Sequence, residues 1–97
     1  MHFQRQDMTE SHYNWKDSAL YSGQPSRRLF DRFNGDQVLF IINFYGSLSG
    51  RFTIKEGREI EYEISHHLPL EAKSEISVVN WIRNMKWGSQ HHLRVVN

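Results

Sequence analysis

The sequence predicts an α+β domain: a three-stranded antiparallel meander with a C-terminal covering helix and a short N-terminal helix. Three observations carry that expectation. Gln37 to Tyr45 is β-branched and aromatic, with apolar residues on both faces of an extended chain, the pattern of a central strand. Phe52 to Ile64 alternates apolar and charged positions around Gly57, the pattern of a half-buried hairpin. Val78, Trp81, Ile82 and Met85 recur at i, i+3, i+4 and i+7, the stripe of an amphipathic helix.

The elements follow in order along a single domain, residues 1–97. Residues 1–22 are polar with isolated aromatics, and read as an extended arm that orders on a partner. Ser22-Gly23-Gln24-Pro25 signals a turn. Ser26 to Phe33 reads as a short helix with Leu29, Phe30 and Phe33 inward and Arg27, Arg28 and Arg32 outward. Asn34-Gly35-Asp36 ends it. The sheet then occupies 37–65, with a loop at Gly46-Ser47-Leu48-Ser49-Gly50. A three-residue turn at Glu56-Gly57-Arg58 sets the hairpin register. It pairs Ile54 with Ile60 and Phe52 with Tyr62 on one side. Lys55 then faces Glu59, Thr53 faces Glu61 and Arg51 faces Glu63 on the other. A one-residue slip ruins both faces. Gly57 is the expected left-handed turn residue. After Leu68-Pro69, a helix opens near Ser74 and fills 74–87, with Gly88 as its stop and 89–97 as a tail.

Composition excludes several function classes. The chain has no cysteine, so disulfides, thiolate metal sites and cysteine nucleophiles are absent. No apolar run is long enough to span a membrane, and the start lacks the apolar middle of a signal peptide, so the expected compartment is the cytoplasm. The net charge of +1 hides a segregation. Gly23 to Arg58 carries six basic residues against three acidic, and Glu59 to Glu75 one basic against five acidic. Such blocks speak to partners more than the total does.

Each candidate for chemistry has a plainer account. The adjacent pairs His66-His67 and His91-His92 are poor ligand sets, because neighbours on an extended chain point apart. No metal and no cofactor is expected. Glu59, Glu61 and Glu63 resemble an acid–base cluster, but the hairpin register makes them an exposed, paired strand stripe. No nucleophile-elbow, phosphate-loop or dinucleotide motif occurs. Arg27, Arg28 and Arg32 beside Phe30 and Phe33 form a basic, aromatic patch, and direct nucleic-acid binding through them is the alternative function. A small enzyme is a further alternative. Trp15 and Trp87 are expected to be exposed rings of the kind that anchor protein interfaces. Partner binding is therefore assigned to Trp15, Arg27, Arg28, Arg32 and Trp87. Pro69, at the sheet–helix junction, reads in the ordinary way as a trans proline. The sharper reading is a conformational switch that must reach one isomer, with a prolyl isomerase as a further partner.

In its size, its lack of cysteine and the lone Leu68-Pro69 between sheet and helix, the chain resembles a lambdoid-phage accessory protein that binds the host RecBCD helicase–nuclease. The resemblance implies an interaction protein without activity of its own, in the host cytoplasm. It would dock on RecBCD, alter its nuclease behaviour and divert it to phage recombination. Pro69 is the one residue carried over. A surface of this size offers about 800 Å² to one partner, a standard interface.

Overall fold

The structure, a computed structural model, describes residues 2–15, 21 and 23–88, with the side chains of 87 and 88 left out. The expected sheet is not there: no strand occurs among the described residues, which form α1 (Gly35–Ser49), α2 (Ile54–His67) and α3 (Glu75–Arg83). A π-helical turn, Asn84–Gly88, continues α3, and a 3-10 turn, Arg5–Asp7, lies near the start. Extended pairing is limited to two isolated bridges, Asn14 with Asn34 and Leu29 with Ser74. The α+β meander is thus corrected to an all-helical fold.

Each helix buries residues at i, i+3, i+4 and i+7. They are Val38, Ile41, Ile42 and Tyr45 in α1, Gly57, Ile60, Glu61 and Ile64 in α2, and Glu75, Val78, Val79 and Ile82 in α3. That period lays one stripe per helix against the core. α1 packs against both α2 and α3, so it is covered on two sides. This is why Gln37 to Tyr45 is apolar all round and imitates a central strand.

The ends of the helices are written locally. The Asn34 side chain accepts from the Gln37 N–H at 3.2 Å, and Thr53 accepts from Glu56 at 3.1 Å. Ser74, the residue expected to open the last helix, caps α3 in a reciprocal box with Ser77. Such side chains replace the missing partners of the first-turn amides. Among the described residues the left-handed glycines are Gly23, with φ 75°, and Gly50, with φ 74° behind α1, whereas Gly57 is helical and buried.

Gly57 is needed for close approach. A Cβ there would lie 2.5 Å from the Phe3 ring. Phe3, expected on a loose arm, is fully buried and meets Phe52 edge-on, with ring centroids 6.2 Å apart. Asn43 of α1 clips its backbone twice, accepting from the Phe3 N–H at 2.7 Å and donating to its carbonyl at 2.8 Å. Trp15 sits over Gly35 in the same manner, its ring 2.6 Å from where a Cβ would be. The described part of the arm is therefore a strap across α1 and α2.

The short helix expected over Ser26 to Phe33 is also absent. The Ser26 and Arg28 carbonyls accept the Ile76 and Glu75 amides of α3, and the Phe30 amide donates to the Lys73 carbonyl. Backbone groups spent on α3 cannot close i to i+4 bonds within their own segment.

Candidate docking face

Two buried carboxylates hold the irregular segments. Glu75, at the first turn of α3, is fully buried. It accepts from Arg28 Nε at 2.8 Å and Nη2 at 3.1 Å, from Gln37 Nε2 at 2.8 Å and from the Ser26 N–H at 3.0 Å. Gln37 of α1 also donates to the Leu29 carbonyl at 2.9 Å and accepts from the Asp31 amide at 2.8 Å. Burial alone raises the Glu75 carboxyl, but the bonds from Arg28, Gln37 and Ser26 outweigh it and hold it below the usual range. The same contact pushes the Arg28 guanidinium up.

Glu61 is the second, and it corrects the expectation of an exposed glutamate row. It lies buried under the strap, not opposite Thr53. It accepts from the Thr9 N–H at 2.9 Å, the Thr9 hydroxyl at 3.1 Å, the Glu10 N–H at 3.0 Å and the Tyr13 hydroxyl at 2.8 Å. Burial, together with the bond to Glu61, pushes the Tyr13 phenol above its ordinary range, so it remains a donor. Glu59 instead meets Lys86 at 3.2 Å, and Glu63 meets His67 at 2.9 Å. Among the described residues no three histidine, aspartate or glutamate side chains gather to hold a metal. No described helix is long and apolar enough to cross a membrane.

With segment 26–31 bolted down, Phe30 turns toward the core while Leu29, and Phe33 just beyond the segment, face outward. Leu29 is 77% exposed and Phe33 46%. Across from them, Leu70 in the α2–α3 loop is 90% exposed. Between the two loops runs a groove of ≈ 360 Å³, floored by the half-buried Phe30, Leu68 and Pro69. Single exposed apolar residues mean little, but a cluster on a fixed surface marks a contact site. Pro69 has a trans peptide bond, and its carbonyl accepts the Ala72 amide at 3.1 Å.

A larger concavity, ≈ 590 Å³, follows α2 beside Ile54 and Tyr62. Its charges are largely spent on the chain itself. Arg58 donates to the Asp7 carbonyl, Glu59 meets Lys86 and Glu63 meets His67. Around the first groove, Arg27, Arg32 and Lys73 are exposed and make no ion pair among the described residues. The Arg32 guanidinium lies 5.5 Å from the Phe33 ring centre.

The residues singled out from the sequence thus separate. Arg32 and Pro69 line one groove, 37 positions apart. Arg27 is exposed in the neighbouring segment. Arg28 directs two nitrogens to Glu75 and lies 4.6 Å over Tyr21. Trp15 is half-buried on the strap, with Arg5 stacked 4.2 Å over its ring. The Trp87 side chain, His91, His92 and the tail 89–97 lie outside the described residues. Sequence reasoning missed Leu70, Gln37 and the structural use of Glu61 and Glu75. The available signal was a helical period that includes both glutamates at core positions. No family model, curated protein or solved structure matches the chain.

Proposed function

We propose that this chain is a non-enzymatic docking protein that grips a larger protein through the Leu29–Phe33–Leu70 face. One observation carries the reading: Leu29, Phe33 and Leu70 stand exposed around one groove, and the buried Glu75 carboxylate holds the loop that carries Leu29 in place. Burying such side chains is worth about 1.5–3 kcal/mol each, so leaving them out has value only where something covers them. The host RecBCD helicase–nuclease is the partner named by the resemblance, and altered nuclease and recombination activity is the expected effect.

The test is gel filtration of purified chain with purified RecBCD, followed by a nuclease assay. Stoichiometric co-elution and changed nuclease activity are expected, and both should vanish with Leu70→Asp. Failure of the wild-type chain to co-elute removes RecBCD as the partner. Exposed Arg27 and Arg32 favour a second reading, direct nucleic-acid binding, although Arg28 already serves Glu75. A low-salt gel shift with single- and double-stranded DNA and RNA tests it, and no shift excludes it.

A further inference from the structure

Resting on that docking reading, we infer that the groove between Leu29–Phe33 and Leu70 receives an acidic, amphipathic peptide segment of a protein partner. The volume, ≈ 360 Å³, lies at the small end of binding sites and suits a few side chains from one segment. Its apolar walls ask for aliphatic or aromatic anchors, as when one helix face lies in a groove. Its rim asks for carboxylates. Arg27, Arg32 and Lys73 stand exposed without an ion pair among the described residues. They outnumber the two acidic residues nearby, the groove-lining Asp31, whose carboxylate accepts the Phe33 amide at 2.9 Å, and the exposed Glu71. Arginine in particular presents a fork that matches carboxylate geometry.

The other occupants fit less well. Nucleic acid would find one exposed ring in the groove, Phe33, already flanked by Arg32 and by the edge-on His12 ring, beside aliphatic Leu29 and Leu70, and with Asp31 and Glu71 inside the positive field. A second copy related by a two-fold axis would bring the same cations face to face. A membrane surface is better met by a long amphipathic helix face than by two short loops.

The experiment selects displayed 16-residue random peptides on the full wild-type chain, with counter-selection against Leu70→Asp. Circular dichroism melts confirm that the variants fold. Enriched peptides should pair apolar anchors with an excess of aspartate and glutamate. The best of them, followed by fluorescence anisotropy, should bind at least tenfold more weakly to Leu70→Asp. Arg32→Glu and Lys73→Glu should each weaken it about three- to tenfold, with further loss in high salt. Enrichment of neutral or basic peptides, or indifference to both charge reversals, overturns the inference. So does binding of oligo-dT or phosphatidylserine vesicles that depends on Leu70. A dimer in sedimentation that Leu70→Asp dissolves also overturns it. If RecBCD co-elution still requires Leu70 while the selected peptides are not acidic, the docking face stands and its acidic occupant falls.

Discussion

Replacing Gly57 by alanine should change sign according to whether Phe3 is present. In an exposed helix interior, glycine to alanine stabilises by about 1 kcal/mol. Here the new Cβ would lie 2.5 Å from Phe3 Cδ1 and Cε1 and 3.0 Å from Phe52 Cζ. The Phe3 ring cannot slide aside cheaply, because it is fully buried and Asn43 fixes its backbone on both sides. Expelling it forfeits about 2–3 kcal/mol of burial. The net effect of Gly57→Ala is then a loss of about 1–2 kcal/mol after the propensity gain is subtracted. In a Phe3→Ala background the main overlap is gone, and the same substitution should be neutral or stabilise by up to about 1 kcal/mol. Urea unfolding of the four proteins of this cycle, followed at 222 nm, reads the coupling directly. Stabilisation by Gly57→Ala in the wild-type background would refute the reasoning, and with it the strap seated on α2.

Further expectations concern the anchors of α3. Ser74→Ala removes the capping hydroxyl and should cost about 1 kcal/mol, read as a lower urea midpoint with an unchanged slope. The Glu75 carboxyl is held below its unfolded value, so the unfolded chain takes up this proton first as pH falls. Its contribution to stability is therefore present above the ordinary glutamate range and drains away as acid carries the pH down through the folded value. Thermal melts from pH 7 to pH 3 should show a shallower acid limb in Glu75→Gln than in wild type, together with a lower melting point at pH 7. Equal slopes would mean that another group controls the acid limb.

Three features of the sequence served two folds equally well, and this explains what was misread. Val38, Ile41, Ile42 and Tyr45 carry the helical stripe of α1, yet Leu39, Phe40 and Phe44 also pack against the core, so an extended reading finds both strand faces apolar. Length and punctuation favoured the helix, with Asn34 as cap and Gly50 fifteen residues beyond Gly35. In α2, Lys55 and Glu59 attract each other across a hairpin or one helical turn apart, so charge pairing did not discriminate. Gly57 looked like a turn because its real use, a seat for Phe3, depends on a residue 54 positions away. Glu61 and Glu75 hid two helical stripes because a buried carboxylate becomes acceptable only once its donors are assembled. α3 was the most legible element, since its cap and its stripe are both local. Of the docking face, Arg32 and Pro69 stood out separately, but nothing local in the sequence brings them together or leaves Leu70 uncovered.

The latches on this fold join residues made far apart in time: Phe3 with Asn43, Thr9 with Glu61 and Ser26 with Glu75. On a ribosome, the strap emerges before any of its partners and must wait for them. Closing loops of 40 to 52 residues has an entropic cost that a simple up-and-down bundle avoids, so this small helical chain should fold more slowly than its helix content suggests. The groove between Leu29 and Leu70 waits as well, because the Glu75 that fixes its first wall is translated after both loops that line it.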